Sequence, residues 1–430
     1  MRMFEKAILL FIFFLPFQFA LHPTGGIDLA VIRVLAIGIF LWWGIQSLAE
    51  RRCLLPRPLQ MFCFGAFLLW CTLSFLWAEN DLWALRKSAF LWSFFPLFLV
   101  FFAHFREQRA REKMFQVWVQ SASVIAIISL IQFSSQWIWG VEKVFLLWTQ
   151  QVLPFFLGPV FGEAVAQYPS LLVNLSGWTV MRASGFFPDP HIAAFFFGMT
   201  LPLAIALAWQ KMPRYQIYWI VCAGVIFLAD LLTFSRGGYI GLLFGLSAFF
   251  ISIFFQQSWK KHTEKFILGL IFLGIILISP VGTRLFSSFS YTDGSNVERV
   301  RLWQGATASI RERPIAGVGL GNYPLFIKPS ASYREPIYVH NLFLDSLVEI
   351  GLVGFFFFMA LLFSSLYAAW SAWRRKKSLF ALACFSSLIL FLAHAFFETP
   401  LFSVHIAPLL ILLLAVSSTF EEDTNNPVSI

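Results

Sequence analysis

The stretch YVHNLFLDSLVEIGLVGFFFF, residues 338–358, joins a polar start that contains a histidine to an apolar run. After Glu349 no charged residue follows for more than twenty positions, which is long enough for a helix to cross the hydrocarbon core of a bilayer. Asn341, Asp345 and Glu349 recur at four-residue spacing, so they lie on one face of a helix. The stretch therefore predicts a membrane helix whose first turns present a polar stripe to the protein interior.

The rest of the chain is also strongly apolar. Of its 430 residues, 59% are hydrophobic, 19% are aromatic and only 12% are charged, which excludes an ordinary soluble domain. We predict an all-α integral membrane protein, with residues 1–430 forming one polytopic domain. Its twelve predicted spans are about 5–21, 27–48, 59–77, 88–105, 115–135, 191–209, 216–234, 237–255, 265–280, 341–363, 379–397 and 401–420.

The distribution of basic residues predicts the orientation of these spans. Every second connection is rich in lysine or arginine, and such connections stay on the cytoplasmic side. Both termini are therefore predicted to be cytoplasmic. The net charge of +9 follows mainly from this bias, so it indicates contact with membrane lipids and not with nucleic acid. The basic residues concerned are Arg2, Lys6, Arg51, Arg52, Arg57, Arg106, Arg109, Arg111, Lys113, Lys211, Arg214, Lys260, Lys261, Lys265 and RRKK at 374–377.

Two long connections are predicted on the extracytoplasmic side. Residues 136–190 alternate apolar runs with proline and glycine, which is typical of segments that lie on a bilayer surface. Residues 281–340 are instead rich in arginine and turn-forming residues. The second loop is therefore the better candidate for binding a charged substrate.

Arg236 stands out in the segment DLLTFSRGGYIGLLFGL, residues 230–246, because the connection is so short that its charge stays near membrane depth. A charge at that depth is costly unless an anion or cavity water receives it. Gly237 and Gly238 would let a ligand approach the backbone. The alternatives are a snorkelling anchor or an ion pair with Asp230, and we favour the anion-binding interpretation because the hairpin leaves little room to snorkel.

Arg182 lies upstream of another membrane helix, in MRASGFFPDPHIAAFF, residues 181–196. Asp189 and Pro190 fit the N-cap and first helical position of that helix. Arg182 is equally compatible with contact to lipid headgroups and with a functional role.

Arginines also occupy the segment SNVERVRLWQGATASIRERPIAGVGLGNYPLF, residues 295–326. Arg299, Arg301, Arg311 and Arg313 fall on a predicted short helix that ends at a proline. The glycine-rich GVGLGN that follows has no preceding buried strand and so is no nucleotide-binding fingerprint. We expect a turn that brings one or two of these arginines toward the membrane.

His340 combines a side chain that titrates near neutral pH with the polar stripe and the nearby arginines. This combination favours a catalytic histidine over a simple helix-start residue. Gly351 and Gly354, later in the same helix, predict close helix packing.

These residues together resemble a known signature. The pattern His340-Asn341, nine residues, Gly351-x-x-Gly354 resembles that of the O-antigen ligase and O-antigen polymerase superfamily. SRGGYIGLL (235–243), RASGFFPDPHIAAFF (182–196) and ERVRLWQGATASIRERPIAGVGLGNY (298–323) resemble further segments of it, in the same order, over residues 180–355. The sequence departs at DPH, residues 189–191, where the family commonly has asparagines around the proline, so no side-chain role is inferred for Asp189 or His191.

The resemblance implies a GT-C-type glycosyltransferase of lipopolysaccharide biosynthesis in the bacterial inner membrane, with its active site on the periplasmic side. It would move a glycan from undecaprenyl pyrophosphate to a hydroxyl of a lipid or glycan acceptor such as lipid A–core, without a metal or other cofactor. A polymerase would use the same donor and motif and differ only in its acceptor. The implied residues are His340 as the catalytic base, Arg182, Arg236, Arg299 and Arg301 as pyrophosphate ligands, and Asn341, Asp345, Glu349, Gly351 and Gly354 as supporting residues.

Two alternatives remain at the level of sequence. Glu79-Asn80-Asp81 has the acid-x-acid spacing with which other GT-C enzymes hold a divalent ion, but we favour a polar turn before Trp83. A transporter or flippase of lipid-linked sugar or a small anion would show broken helices and charges near the bilayer midplane. Most spans here read as uninterrupted, and the arginines crowd the outer face, so we favour the enzyme.

Overall fold

The computed structural model describes residues 2–24, 27–50, 58–167, 170–175, 177–210, 213–256, 294–333, 335 and 337–422. Within these ranges seven helices are long and apolar enough to cross a membrane, and three further apolar helices are shorter. The protein is thus a multi-pass, predominantly helical membrane protein. Eleven of the twelve predicted spans overlap a helix, the span at 265–280 lies outside the described residues, and the total of twelve stays a prediction.

Sixteen α-helices lie in the described part of the chain. They are α1 (Arg2–Phe14), α2 (Val31–Ala49), α3 (Pro58–Leu73), α4 (Asp81–His104), α5 (Gln108–Trp139), α6 (Val141–Leu147), α7 (Leu153–Leu157), α8 (Pro159–Gln167), α9 (Pro190–Gln210), α10 (Pro213–Leu231), α11 (Arg236–Gln256), α12 (Gly294–Glu312), α13 (Tyr323–Ile327), α14 (Leu342–Lys376), α15 (Leu379–His394) and α16 (Ile406–Glu422).

Two short antiparallel hairpins interrupt the helical pattern. Strands β1 (Ala20–Thr24) and β2 (Ile27–Ala30) connect α1 to α2, and strands β3 (Leu172–Leu175) and β4 (Trp178–Met181) lead into α9. The expectation of an all-α protein is therefore correct for the bundle but omits these hairpins. Both occupy connections, where a two-stranded ribbon satisfies backbone groups that a helix does not.

A seam of small residues joins α11 to α15. At Gly237, Gly241 and Gly245, an added Cβ would lie 2.7–3.1 Å from atoms of α15, including His394 and Leu390. Glycines at four-residue spacing let two membrane helices approach closely. Gly237 therefore serves helix packing, and the approach of a ligand to the backbone at this position stays a prediction.

Contacts between elements define two ends of the bundle. At one end Lys113 at the start of α5 pairs with Glu5 of α1 (2.8 Å), and Arg111 donates to Thr419 near the end of α16 (3.2 Å). At the other end, the beginnings of α9, α11 and α14 meet the end of α15. The start of α1 and the end of α16 thus share one end, while the candidate site lies at the opposite one.

Helix α14 is broken near its start. Gly351 has φ +62° and ψ −171°, a conformation that only glycine adopts readily. The polar first turns therefore end at a break, and the apolar part begins after it. Most spans are expected to be uninterrupted, and α14 is an exception because Gly351 provides a backbone break where the sequence suggested close packing.

Candidate active site

The candidate active site is centred on Glu398, in the connection that follows α15. Its side chain is largely buried and meets three basic groups from different parts of the chain. Glu398 Oε2 lies 3.0 Å from His340 Nδ1, and Oε1 lies 3.2 Å from an Arg299 Nη and 3.8 Å from His191 Nε2. One carboxylate therefore joins the segment before α14 to the helix α12, and it lies beside the start of α9.

The backbone around His340 explains its position. His340 has φ +53°, a left-handed conformation that is uncommon for a residue with a side chain. The following Asn341 caps α14 by accepting hydrogen bonds from the Phe343 and Leu344 amides (3.0 and 3.1 Å), and Leu342 N donates to Ala395 O (2.9 Å). The start of α14 is thus fixed directly against the end of α15, which brings His340 to Glu398.

His340 and Glu398 alter each other's protonation. Burial disfavours the charged imidazolium, but the attraction and hydrogen bond of Glu398 outweigh it and raise the pKa of His340 above its usual value. Burial likewise opposes the charged carboxylate, but His191 and His340 lower the pKa of Glu398. Glu398 is therefore an anion at neutral pH, and it holds a histidine that retains its proton to a higher pH than usual.

A second layer of polar groups lies behind Glu398. His191 Nδ1 is 2.8 Å from Ser235 Oγ, and Ser235 Oγ is 3.4 Å from His394 Nε2. The His394 ring stacks on Phe195 with 3.6 Å between ring centroids. His191, for which the sequence departure removed any expected role, therefore belongs to the site.

Among the four predicted pyrophosphate ligands, Arg299 contacts Glu398 directly. Arg299 and Arg301 are two positions apart on α12, about 200° around the helix axis, so both cannot face the same group. Arg301 is exposed, as are Arg311 and Arg313. Arg299 is therefore the arginine of α12 that reaches Glu398, whereas Arg301 and Arg311 on α12 and Arg313 just after it are exposed.

Arg236 and Arg182 flank the Thr233–Ser235 turn. Arg236 begins α11 directly after Ser235 and is half-buried. Arg182 is buried and donates to the carbonyls of Thr233 (2.6 Å) and Ser170 (2.9 Å), so it braces this turn. The carboxylate of Asp230 forms no hydrogen bond with a described residue, so the alternative pairing with Arg236 is not found.

The predicted polar stripe on α14 is buried, and each member has a separate task. Asn341 caps the helix, Asp345 Oδ1 accepts from Val339 N (3.2 Å), and Glu349 pairs with Lys87 of α4 (2.9 Å). Asp345 therefore stabilises the segment that carries His340. Glu349 instead anchors α14 to α4 beside the helix break.

The glycine-rich segment GVGLGN fills the break in α14. The amides of Val318 and Gly319 donate to the carbonyls of Val348 and Glu349 (2.8 and 2.9 Å). Gly317 has φ +73°, and a Cβ there would lie 2.6 Å from the Glu349 backbone. The break thus supplies the hydrogen-bonding groups that hold the arginine-rich loop against the bundle, and a side chain at Gly317 would prevent this contact.

Gly354 packs closely, as the sequence suggested. A Cβ at Gly354 would lie 2.7 Å from the Trp70 ring of α3, whose Nε1 donates to Ile350 O (2.8 Å). The two glycines of the signature therefore differ in function. Gly351 permits the break, and Gly354 permits packing against Trp70.

The acidic pair around Asn80 forms part of a turn. Asn80 caps α4 by accepting from Trp83 N (3.1 Å), and the Asn80 backbone exchanges hydrogen bonds with the Asn322 side chain (2.7 and 3.1 Å). This is the polar turn before Trp83 that the sequence favoured. Among the described residues, no group of three or more histidine, cysteine, aspartate or glutamate side chains is arranged to hold a metal ion.

Glu398, Ser235 and His394 were not identified as site residues from the sequence. Glu398 is 58 positions from His340, so no local pattern connects them. A signal was nevertheless available in HAFFETP, residues 394–400, where a histidine and a glutamate separate two apolar runs. Ionisable residues in such positions mark functional sites in membrane proteins.

A comparison with known protein families covers a central part of the chain. Residues 220–359 match the family model described as O-antigen ligase. The resemblance to the O-antigen ligase and polymerase superfamily is thereby confirmed. This O-antigen ligase region contains Arg236, Arg299 and His340, whereas Glu398 lies beyond its end. No curated protein matches the chain.

Proposed function

We propose that this protein is an O-antigen ligase-like glycosyltransferase of the GT-C type. It would transfer a glycan from undecaprenyl pyrophosphate to a hydroxyl of an acceptor such as lipid A–core, on the extracytoplasmic face of the inner membrane. The observation that carries the proposal is the simultaneous contact of Glu398 with His340 and Arg299. This contact places a proton acceptor, His340, and a fixed cation, Arg299, in one cluster. Glycosyl transfer from a pyrophosphate donor can use the first to activate the acceptor and the second to stabilise the leaving group.

His340 would act on the acceptor. A carboxylate only accepts hydrogen bonds, so the imidazole nitrogen facing Glu398, Nδ1, carries the proton and Nε2 keeps its lone pair. Nε2 would take the proton of the acceptor hydroxyl as the oxygen attacks the anomeric carbon of the glycan. Glu398 would stabilise the imidazolium that forms.

Arginines would act on the leaving group. As the bond between the anomeric carbon and the phosphate oxygen breaks, undecaprenyl pyrophosphate departs with the electron pair and gains negative charge. Arg236 and Arg299 would stabilise that charge, since a guanidinium presents several donors in a plane that matches phosphate oxygens. Arg299 uses one nitrogen for Glu398 and has others for the donor. Arg182 would contribute by fixing the turn that leads into Arg236.

The alternative of a carrier has one structural feature in its favour, the break in α14, because transporters use discontinuous helices at their binding sites. Here, however, the amides of Val318 and Gly319 occupy the carbonyls that the break exposes. The broken backbone therefore binds the protein's own loop. Because the exposed carbonyls are already hydrogen-bonded to this loop, the break favours an enzyme over a carrier.

Reconstitution tests the proposal directly. Purified protein in liposomes containing undecaprenyl pyrophosphate-linked glycan, in EDTA and with lipid A–core acceptor, should release free undecaprenyl pyrophosphate and form glycosylated acceptor. Movement of the lipid-linked glycan across the bilayer without cleavage would contradict the enzyme. Activity that is lost in EDTA and restored by Mg²⁺ would contradict its independence from metal.

Deletion in the native host separates ligase from polymerase. Loss of a ligase leaves long lipid-linked polymer unattached, so polymer should accumulate on the lipid carrier. Accumulation of single repeat units would instead identify a polymerase. Glycan analysis of extracted lipid-linked material distinguishes the two.

A further inference from the structure

Tyr338 lies beside His340 but has no part in the chemistry described above. Its ring centroid is 4.3 Å from that of the His340 imidazole, with 48° between the ring planes. Although it touches the proposed base, 37% of Tyr338 is exposed. More than a third of this aromatic residue is therefore accessible next to the position where an acceptor hydroxyl would bind.

The segment that carries Tyr338 is held rigidly. The next residue, Val339, is fully buried, and its amide donates to Asp345 Oδ1 (3.2 Å) while its carbonyl accepts from Trp303 Nε1 (3.2 Å). Both backbone groups of Val339 are thus fixed, one by α14 and one by α12. The backbone next to the exposed ring is consequently fixed before a ligand binds, which lowers the entropy cost of binding.

The phenol hydroxyl of Tyr338 is also available for hydrogen bonding to a ligand. Its hydroxyl forms no hydrogen bond with any residue that the structure describes. A tyrosine hydroxyl is neutral at physiological pH, so it can both donate and accept a hydrogen bond. Tyr338 therefore offers an apolar face and an unused polar tip.

An aromatic residue in a membrane protein often lies in the interfacial belt and contacts lipid headgroups. Tyr338 differs from such a residue because its ring rests on a titrating histidine and lies among the charges of Glu398 and Arg299. A lipid-facing belt residue would instead pack on the apolar outer surface of a helix, as the exposed Tyr367 of α14 does.

We propose that Tyr338 binds the sugar ring of the acceptor, by stacking its aromatic face on the apolar C–H face of a pyranose next to His340. Pyranose rings carry axial C–H groups on one side and hydroxyls at the edge, which matches a ring with an exposed face and a free hydroxyl. Stacking would present one acceptor hydroxyl to Nε2 of His340. This inference rests on the proposed glycosyl transfer and assigns Tyr338 as the residue that positions the acceptor sugar.

The test separates use of the acceptor from use of the donor. Reconstituted full-length protein is assayed with undecaprenyl pyrophosphate-linked glycan, both with lipid A–core or lipid-linked repeat unit as acceptor and with water alone. Tyr338→Leu, which keeps apolar volume but removes the flat face, should raise the acceptor KM about tenfold. Hydrolysis of the donor by water should change less than about threefold, because the groups that contact the donor are untouched.

Matched variants complete the design. Tyr338→Phe and Tyr338→Trp retain a flat aromatic face and should keep the acceptor KM within about threefold of wild type. These two variants keep the proposal testable if Tyr338→Leu folds poorly. Tyr367→Leu, on the exposed surface of α14, is the control and should leave both reactions unchanged. An unchanged acceptor KM in Tyr338→Leu, a loss of donor hydrolysis equal to the loss of transfer, or a tenfold KM increase in both aromatic variants would overturn the assignment. Failure of the wild type to cleave the donor would contradict the proposed function itself.

Discussion

At Glu398, a single carboxylate faces His340, Arg299 and His191 inside a largely apolar bundle. Burying a carboxylate is costly unless it is paired and hydrogen-bonded, so its partners are needed for it to stay ionised. The same arrangement fixes which nitrogen of His340 is free. The position of Glu398 thus links the stability of the cluster to the direction of proton transfer.

The raised pKa of His340 leads to a prediction about pH dependence. The base form is required for transfer, so activity should rise as the pH increases through the pKa of His340, above its usual value near 6.5. In Glu398→Gln the carboxylate is absent and burial dominates, so the pKa of His340 should fall and the acidic limb of the kcat profile should move to lower pH. Glu335→Gln, whose carboxylate pairs with the exposed Lys328, is the matched control and should not move the limb. A limb that stays in place in Glu398→Gln would show that Glu398 does not control His340.

For the arginines, Arg236→Lys should impair use of the donor even though the charge is kept. A single ammonium cannot reproduce a planar contact with two donors to pyrophosphate, so we expect the donor KM to rise about tenfold or more. Arg301→Lys, on the exposed side of α12, is the control and should behave as wild type. Saturation kinetics with lipid-linked donor in correctly inserted protein measure both. A wild-type donor KM in Arg236→Lys would show that Arg236 only anchors its helix in the membrane.

For single residues, the sequence predicts which residue types belong to the site better than it predicts which side chains they contact. Helical periodicity shows that only one of Arg299 and Arg301 can face a given group, but it does not show which. That choice depends on the rotation of α12, which is set by packing of Ala306 and Trp303 against Tyr323 and Val339. Glu398 depends in the same way on how the end of α15 meets the start of α14, a contact that no local pattern encodes.

Among the elements, the broken helix α14 and the glycine-rich loop form one unit. The carbonyls of Val348 and Glu349 and the amides of Val318 and Gly319 satisfy one another. Unpaired backbone groups within a bundle would cost several kcal/mol, so neither the break nor the loop is stable without the other. This unit places α12, which bears Arg299, beside the start of α14, which follows His340.

Gly351→Ala should therefore destabilise the protein. The φ and ψ of Gly351 cost a residue with a side chain about 1–3 kcal/mol, and its Cβ would collide with the Ile315 carbonyl. We expect a lower melting temperature together with reduced transfer. Gly44→Ala in α2 is the control, since a Cβ there meets no atom within 4 Å, and it should be neutral or slightly stabilising. An unchanged melting temperature in Gly351→Ala would contradict the role of the break.

The helices themselves were largely predictable, because long apolar runs without charge have few alternatives in a membrane. Their exact bounds and the break in α14 were not. A glycine in an apolar run is equally compatible with close packing and with a backbone break, and Gly354 and Gly351 provide one example of each. The hairpin β3–β4 was also missed, since its short strands lie in a loop whose apolar residues suggested surface segments.

In the whole molecule, the predicted site residues converge on one end of the bundle, while the contacts of Glu5, Lys113, Arg111 and Thr419 lie at the other. This arrangement agrees with a chain whose two termini share one side of the membrane. Which side each end faces follows only from the distribution of lysine and arginine and stays a prediction.

Cysteine labelling tests that orientation. Lys328 is exposed in the arginine-rich loop, and Cys63, Cys71, Cys222 and Cys384 are buried. A cysteine introduced by Lys328→Cys, in a background without native cysteines, should react with a membrane-impermeant maleimide added from the extracytoplasmic side. Labelling only from the cytoplasmic side would show that the topology is the opposite of the predicted one. The active site would then face the cytoplasm, on the wrong side of the membrane for the proposed acceptor.

The central claim is that the folded bundle binds its lipid-linked donor without His340 but transfers the glycan only with it. The most direct measurement is glycan transfer by purified, reconstituted His340→Ala beside wild type, together with thermal melting and donor binding. Loss of a general base typically costs about 10²–10⁴-fold in rate, whereas the arginines and the bundle are unchanged, so transfer should fall by that amount while melting and donor binding persist. Transfer at the wild-type rate by correctly folded His340→Ala would contradict the account.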